Sequence, residues 1–275
     1  MVNDFGQPVL PPLIEDWLNG TIDVDSRSLL AANLGRDLER AGQFVRQVES
    51  GEGGGWYLQL DIANFFNSID RKRLWRILKR KMARAGTSIE VQRVVHALLR
   101  QSPASVGVVH VSTPQQRALV PAHKRLANQP AHLGLPIGNL SSQFFANVLL
   151  NDLDQFIKHQ LRARHYIRYV DDFLILHESP QWLHAAHQAV NAYLPQLGVA
   201  LNPAKTILQP LARGVDFVGQ VIKPHQRTIR RRTTREALAR VAGIDAGELF
   251  ATANSYFGLF RQASHGHNDR ARLAK

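Results

Sequence analysis

The chain contains the stretch RYVDDFLIL at residues Arg168–Leu176, and its pattern is the clearest indication of the fold. Two adjacent acids lie between runs of β-branched, aromatic and leucine residues, which favour strands. An Asp-Asp pair is unfavourable inside a strand but favourable in a tight turn. The stretch therefore predicts a β-hairpin that carries Asp171 and Asp172 at its tip. Adjacent carboxylates resist joint ionisation unless a cation lies between them, although a lone pair of this kind is also compatible with a solvated turn.

The composition of the 275-residue chain indicates an anionic partner. There are 34 Lys and Arg residues against 22 Asp and Glu, a net charge of +12. Nucleic acid is the first candidate, and an anionic membrane surface is the second because no basic amphipathic anchor is evident. The absence of cysteine excludes disulfides and thiolate metal sites, and it fits a reducing compartment such as the cytoplasm. No apolar run reaches the roughly 18 residues of a membrane span, and the start lacks a signal-peptide pattern, so no membrane partner is expected.

A third carboxylate follows a second predicted strand. The segment Trp56–Leu60 is mostly apolar, as in a strand that is buried on both faces, and Asp61 comes at its end. The loop Gly51–Gly55 before it is not a phosphate-binding loop, because no Gly-Lys-Ser/Thr follows and a strand comes next. If this strand lies beside the hairpin, three carboxylates converge at one edge of a sheet, and oxygen ligands suit Mg²⁺. Two such ions can activate a 3′-hydroxyl and stabilise a departing pyrophosphate.

The rest of the chain predicts mainly helices, after an irregular, proline-containing segment at 1–24. Asp25 or Ser26 caps the first helix, Ser68 or Asp70 the second, and Ser141 or Ser142 a later one. Apolar spacing and these caps predict helices at 26–48, 71–84, 88–99, 142–161, 181–197, 233–242 and 246–262. A short strand is predicted at 106–111, and a glycine-containing strand or hairpin at 215–222. Between them, a turn at 202–206 presents Lys205.

Two further features suggest anion contacts. The loop GLPIGNLSSQ, at 134–143, leads into a helix, and exposed amides at a helix N-terminus suit a phosphate. The first helix is basic through Arg27, Arg36, Arg40 and Arg46, which fit a solvated face and a nucleic-acid or triphosphate contact equally well.

Five motifs resemble those of reverse transcriptases and occur along the chain in the order typical of that family. The resemblance covers roughly residues 25–262. The stretch LQLDIANFF at 58–66 is similar to the first palm motif, and YVDD at 169–172 to the signature Tyr-x-Asp-Asp motif. Residues 135–143 resemble the motif between them. Residues 202–205 and 217–222 resemble the two downstream motifs, the second of which is the primer grip. In addition, SYFG at 255–258 resembles a thumb element of bacterial members.

The resemblance implies an α+β fold, a right-hand polymerase palm whose antiparallel sheet packs on helices, with partial fingers and a small helical thumb. The implied domains are an N-terminal segment with partial fingers at 1–50, a palm with a finger insert at 51–222, and a basic helical thumb at 223–275. About 60 residues precede Asp61, and two finger motifs are absent from them. No endonuclease, ribonuclease H or maturase extension is expected after the thumb.

The resemblance also implies the site residues. Asp61, Asp171 and Asp172 are catalytic and hold two Mg²⁺ ions, for which Mn²⁺ can substitute, and the backbone carbonyl of Ile62 is a further ligand. The implied nucleotide-binding residues are Phe66, Ile137, Gly138, Gln143 and Lys205. The implied primer- and template-binding residues are Tyr169, Phe217, Gly219, Arg230, Arg231 and Arg232.

Two of these roles have structural alternatives. Phe66 would be the steric gate against the 2′-hydroxyl of a ribonucleotide, whereas plain core packing explains Phe65 or Phe66 equally simply. Lys205 would face the triphosphate and protonate the leaving pyrophosphate, whereas a solvated turn lysine is the alternative.

Two departures from the retroviral pattern indicate a subgroup. Ile137 stands where those enzymes have Gln, and Gln143 stands where they have Pro. The resulting pattern is similar to reverse transcriptases of diversity-generating retroelements, which copy a template RNA with frequent errors at adenines. Related bacterial lineages, including defence-associated ones, share it. An apolar Ile137 cannot hydrogen-bond the incoming nucleotide, so looser discrimination is expected.

The function predicted from the sequence is RNA-directed DNA polymerisation, with deoxynucleotides added to a primer 3′ end by two-metal phosphoryl transfer. The implied partners are an RNA template, a DNA or RNA primer, dNTPs and a small basic accessory protein. One alternative is a catalytically impaired, truncated RNA-binding remnant, which the missing finger motifs favour and the intact acids disfavour. Another is a defence-associated or untemplated nucleotidyltransferase, or a palm-fold cyclase, which the primer-grip-like strand and basic thumb disfavour.

Overall fold

The computed structural model describes residues 26–51, 54–101, 113–125, 128–137, 140–261, 263–264 and 270–271. Within these ranges no helix combines the length and the apolar character needed to cross a membrane. The strand predicted at 106–111, and the site residue Gly138, lie outside the described residues.

The described residues form helices and short strands. The helices are α1 Ser26–Glu49, α2 Phe65–Ser68, α3 Arg71–Arg84, α4 Ile89–Arg100, α5 Pro114–Ala118, α6 Leu140–Gln155, α7 Pro180–Tyr193, α8 Arg231–Ala242 and α9 Ala246–Arg261. The strands are β1 Trp56–Asp61, β2 His165–Tyr169, β3 Asp172–His177, β4 Ile207–Pro210, β5 Val215–Phe217, β6 Gln220–Lys223 and β7 Gln226–Ile229. The predicted helices and the predicted hairpin are therefore present, with ends that differ by a few residues.

The strands form two antiparallel sheets, and the first of them brings the acids together. Its order is β2-β3-β1-β4, and its register pairs Asp61 at the end of β1 with Asp172 at the start of β3. Tyr169 also pairs with Asp172 across the hairpin, which leaves Val170 and Asp171 as a two-residue turn. The second sheet has the order β5-β6-β7.

Each face of the four-stranded sheet has its own apolar cluster. Leu58, Leu60, Phe173 and Ile175 belong to a cluster with residues of α3, α6 and α7, and we call this side the α6 face. Tyr57, Leu174 and Leu176 alternate with them and belong to a cluster with residues of α1 and the three-stranded sheet, the α1 face. The sheet is therefore buried on both sides, as the apolar character of β1 predicted, and the α+β class with helices packed on an antiparallel sheet is confirmed.

Two capping predictions have definite outcomes. Asp70, and not Ser68, caps α3, because its carboxylate accepts from the backbone N–H groups of Lys72 and Arg73. The prediction that Ser141 or Ser142 caps α6 is wrong, because the helix already includes both residues. Ser142 is buried, so its position is set by packing against the core and not by a capping role.

The second sheet continues beyond the predicted hairpin. β5 and β6 form the hairpin around Val218 and Gly219, and β7 adds a strand that the sequence did not indicate. Behind it, α8 and α9 pack on a small cluster that includes Ile229, Ala237 and Phe260. The sheet thus crosses residue 222, where the palm was predicted to end.

Candidate active site

The three acids lie at one end of β1 and β3, the two central strands of the four-stranded sheet. Asp61 and Asp172 face each other across the β1–β3 pair, and Asp171 follows in the adjoining turn. The backbone N–H of Ile62 donates to the carbonyl of Asp171 over 3.3 Å, which ties the turn to the end of β1. Strand ends set by a hydrogen-bonded register therefore place three carboxylates in one neighbourhood.

Neighbouring polar side chains bind these carboxylates directly. Lys205 donates from Nζ to Oδ2 of Asp61 over 2.6 Å, and Asn202 donates from Nδ2 to Oδ1 of the same residue over 3.2 Å. Gln59 donates from Nε2 to both carboxylate oxygens of Asp172, over 3.1 and 3.2 Å. The sequence analysis missed Gln59. A single polar residue in an apolar strand, two positions before Asp61 and hence on its face, was the available signal.

Burial and mutual repulsion disfavour the ionised carboxylates at the tip. Burial raises the pKa of Asp171, and the charge of Asp61 adds to this effect. Burial, with the charges of Asp61 and Asp171, raises the pKa of Asp172 to about 6. The hydrogen bond to Asp61 in turn raises the pKa of Lys205. The site is thus short of positive charge in spite of its one lysine.

The donor set fits a hard divalent cation by its chemistry. Three carboxylates supply the oxygen ligands that Mg²⁺ prefers, and a cation between them would offset the repulsion that contributes to the raised pKa values of Asp171 and Asp172. In the structure, Asp61 and Asp172 accept hydrogen bonds from Lys205 and Gln59. The described part of the chain contains no group of three His, Cys, Asp or Glu side chains arranged around a metal position.

The raised pKa of Asp172 makes the stability of the metal-free protein depend on pH. Below about pH 4 this carboxyl is protonated in the folded and unfolded states, so it does not change the free energy of unfolding. As pH rises from there through its folded pKa of about 6, its ionisation lowers the free energy of unfolding. With a shift of about two units and about 1.4 kcal/mol per unit, the full cost is about 3 kcal/mol. We expect Asp172→Asn to raise the free energy of unfolding at pH 8 with EDTA, but not at pH 4. Urea unfolding measures this, and a larger gain at pH 4 would contradict it.

The structure separates the two neighbouring phenylalanines of the first motif. Phe65 is buried in the core, whereas Phe66 is half-buried and only packs against it. The carbonyl of Phe66 accepts from the backbone N–H of Leu135 over 2.8 Å, and that of Ile69 accepts from Gly134 over 2.9 Å. The loop that begins at Gly134 is therefore held beside Phe66. Core packing explains Phe65 and leaves part of Phe66 available.

The remaining nucleotide-site candidates lie around this loop and the lysine turn. Ile137 is 75% exposed and Gln143, inside the first turns of α6, is half-buried. Lys205 ends a short 3₁₀ turn that Asn202 caps through Oδ1, and 63% of its side chain is exposed despite the bond to Asp61. The lysine is thus an exposed turn residue that nevertheless forms a direct bond to Asp61.

The primer- and template-site candidates are divided between core and surface. Tyr169 is half-buried on the α1 face, whereas Phe217 is fully buried and contributes through packing. Gly219 has a φ of +85° in the β5–β6 turn, a conformation that glycine adopts without strain. Arg230 forms an ion pair with Asp216, and Arg232 with Glu236 one turn along α8. Arg231 is exposed.

A basic recess lies between α1 and the β6–β7 turn, with a volume of about 380 Å³. Its lining includes Arg46, Lys223, His225 and Arg227, against the single carboxylate of Glu39. Nη1 of Arg227 is buried without a hydrogen-bond partner in the described part of the chain. Arg46, Lys223 and Arg227 form no ion pair with any described carboxylate. The recess is therefore a patch of net positive charge.

Comparison with known proteins gives one family and several similar folds. The family model described as "Reverse transcriptase (RNA-dependent DNA polymerase)" matches residues 12–222. No curated protein matches the chain. A solved structure of telomerase from Candida tropicalis, in complex with a fragment of telomeric RNA, is 11% identical with a TM-score of 0.51, and the match covers 96% of this chain and 44% of the telomerase.

Two other telomerase structures are similar at lower scores. Apo telomerase from Candida tropicalis is 11% identical, with a TM-score of 0.47 and coverage of 88% of this chain and 44% of that one. Telomerase from Candida albicans, in complex with telomeric RNA, is 10% identical, with a TM-score of 0.44 and coverage of 88% and 43%. The chain thus spans less than half the length of these proteins, and a likeness at such identity concerns the fold alone.

Proposed function

Since the chain belongs to the reverse transcriptase (RNA-dependent DNA polymerase) family, we propose that it adds deoxynucleotides to the 3′ end of a primer on an RNA template. One observation carries this proposal. The β1–β3 register sets Asp61 opposite Asp172, with Asp171 in the next turn and Lys205 bonded to Asp61. Phosphoryl transfer needs positioning and charge neutralisation more than covalent chemistry. The register supplies the positioning, and cations held by the acids, together with Lys205, would supply the positive charge.

The acids are the proposed cation site. Asp61, Asp171 and Asp172, with the backbone carbonyl of Ile62, would hold two Mg²⁺ ions, for which Mn²⁺ could substitute. When bound, such ions neutralise phosphate charge and lower the pKa of a bound hydroxyl. Gln59 orients Asp172 through its two hydrogen bonds, and Asn202 orients Asp61. These amides restrain both carboxylates without adding charge.

Lys205 is the proposed proton donor to the leaving pyrophosphate. Its raised pKa keeps Nζ protonated, and the exposed part of its side chain lets it turn from Asp61 toward a triphosphate. A charged amine close to the leaving oxygen can stabilise the departing group and supply a proton. The lysine would therefore alternate between a carboxylate and a phosphate.

Phe66 is the proposed gate against ribonucleotides. Its side chain is half-buried, and its carbonyl accepts a hydrogen bond from Leu135 in the loop at 134–137. The ring is therefore a candidate to fill the space that a 2′-hydroxyl needs. We expect Phe66→Ala to raise ribonucleotide incorporation relative to deoxynucleotide incorporation by about 10–100-fold, the range that steric pockets discriminate. Competition between rNTP and dNTP in primer extension measures the ratio. Phe65→Leu, at a buried position, is the control, and an unchanged ratio in Phe66→Ala would contradict the assignment.

Nucleic acid is the proposed partner of the basic surface, including the recess between α1 and the β6–β7 turn. Each phosphate contact releases condensed counterions, so removing one cation should lower the salt dependence of binding by about one unit of slope. We expect this for Arg46→Gln, Lys223→Gln and Arg227→Gln with a short RNA–DNA duplex. The control is Arg80→Gln, which removes the same charge. Arg80 is exposed on α3, a helix that packs on the opposite face of the sheet. Equal slopes for both sets would place the nucleic acid elsewhere.

Primer extension with Mg²⁺, dNTPs and a primed RNA template tests the proposed function. Template-dependent product is expected. Tight RNA binding without product would favour an RNA-binding remnant, and product without template would favour an untemplated nucleotidyltransferase. Sequencing the products tests our further proposal of error-prone copying, which the apolar, 75% exposed Ile137 supports. An ordinary error rate opposite template adenines would remove the link to diversity-generating retroelements.

A further inference from the structure

A buried arginine lies directly beneath the Val170–Asp171 turn. Arg168 donates from Nε and Nη2 to the two carboxylate oxygens of Asp154, over 2.8 and 2.7 Å. Its Nη1 donates to Oδ1 of Asn147 over 3.0 Å and to the backbone carbonyl of Val170 over 2.8 Å. The hydroxyl of Tyr166 donates to Oδ1 of Asp154 over 2.6 Å. One guanidinium thus joins helix α6 to the turn that carries Asp171.

This group lies on the opposite face of the sheet from the acids. Side chains alternate along a strand. In β2, Tyr166 belongs to the α6 cluster and Ile167 to the α1 cluster, so Arg168 falls on the α6 face. In β3, Leu174 belongs to the α1 cluster, so Asp172 falls on the α1 face. Arg168 therefore reaches the acidic tip through the backbone carbonyl of Val170.

The turn needs external support because of its backbone. Val170 has a φ of +57°, in the left-handed region that is unfavourable for a β-branched residue. Asp171 does not share this feature, so the turn matches the two-residue type that prefers glycine at its first position. Residues held in such conformations persist where their surroundings fix them. The Val170 side chain packs on the α6 cluster, and Arg168 holds the carbonyl.

The charges of the support are balanced within the α6 face. Only 9% of the Arg168 side chain and 8% of the Asp154 side chain are exposed. Burial opposes the ionised form of both groups, yet their mutual attraction outweighs it, so the pKa of Asp154 is lowered and that of Arg168 is raised. A buried ion pair adds little net stability compared with apolar residues of similar size. Holding a guanidinium at a fixed place is a role that apolar residues could not fill.

We propose that Arg168 is a positioning residue, which Asp154 and Tyr166 orient so that its Nη1 fixes the Val170–Asp171 peptide and with it the direction of the Asp171 and Asp172 carboxylates. The inference rests on the proposed function, because it assigns those carboxylates to the cation site. Outer partners of this kind typically change metal affinity or activity by about 10–100-fold when removed.

The test replaces the polar group by apolar residues of similar size, in the triple variant Arg168→Met, Asp154→Leu, Tyr166→Phe. We expect the melting temperature to stay close to that of the wild type. We expect kcat for single-nucleotide addition to fall, and the Mg²⁺ concentration at half-maximal effect to rise, each by about 10–100-fold, with little change in KM for the dNTP. A purely structural pair would leave kcat and the Mg²⁺ midpoint unchanged in a folded variant.

The matched control is Lys81→Met with Asp152→Leu. This pair, with 3.0 Å between Nζ and Oδ1, joins α3 to the same helix α6 but makes no contact with the turn. Equal Mg²⁺ midpoints and kcat values for the control and the triple variant would overturn the proposal. If circular dichroism shows that the triple variant is unfolded, Tyr166→Phe alone is measured. It should shift both quantities in the same direction by less, and no shift would equally overturn the proposal.

The Mg²⁺ midpoint is also read without substrates, from the thermal shift on titrating Mg²⁺. If the wild-type protein extends no primer, the proposed function fails, while the midpoints of wild type, triple variant and control still decide the role of Arg168. If the wild type is active and the triple variant matches it in both readouts, the inference fails and the function stands.

Discussion

Asp171→Asn is expected to lower the rate of nucleotide addition by about 10³-fold or more. The side chain is half-buried in the two-residue turn, and burial together with Asp61 raises the pKa of its carboxyl, as expected of a carboxylate at the proposed cation site. An amide keeps the size of the group but loses the charge that holds a divalent ion. Cation stabilisation of phosphoryl transfer contributes several kcal/mol, and each loss of about 1.4 kcal/mol costs a factor of ten in rate.

The measurement is single-turnover primer extension in Mg²⁺ and in Mn²⁺, with RNA binding recorded in parallel. Because the substitution changes one surface turn, binding of the primed template should remain within about threefold. Asp152→Asn, which removes a carboxylate from the partly exposed ion pair between α3 and α6, should leave the rate unchanged. If Asp171→Asn extended primers at the wild-type rate, Asp171 would not belong to the cation site.

Phe173→Ala is expected to lower the free energy of unfolding by about 3–5 kcal/mol, the usual cost of emptying a buried aromatic position. Phe173 is completely buried in the cluster on the α6 face and directly follows Asp172. Its ring meets that of Tyr166 edge-on, with 6.3 Å between the ring centroids. A loss of this size is a large part of the stability of an ordinary domain, and the cavity would lie beneath the acidic edge.

Urea unfolding measures the loss for Phe173→Ala. Phe173→Leu should cost less, because it leaves a smaller cavity. Phe250→Ala is the control for the loss of an aromatic ring at the surface: Phe250 is 82% exposed, and its replacement should change stability by no more than about 0.5 kcal/mol. Equal losses for Phe173→Ala and Phe250→Ala would show that the β3 core is not cooperative with the rest of the fold.

Local pattern predicted the elements whose signals are strong over a few residues. The apolar runs on either side of Asp171 and Asp172 predicted the hairpin, and helical spacing predicted α1 and α3. The start of α6 was wrong because the choice between nearby capping residues depends on contacts outside the helix. Strand β7, Gln226–Ile229, was missed because four residues with only one fully buried side chain carry no periodic signal and form a strand by pairing with β6.

The sequence of this protein specifies its chemical groups and their order along the chain. It predicted a carboxylate after one strand, two more at a hairpin tip, a lysine turn and a basic C-terminal part, because each of these is written in neighbouring residues. The three-dimensional fold was needed to show that Asp61 pairs with Asp172, that Lys205 and Gln59 bind those acids, and that Arg168 lies on the other face beneath Val170. Such contacts join residues 100 or more positions apart, or depend on which face of a strand meets which helix. Register and face are set by the burial of both apolar clusters at once, and no short stretch contains that information.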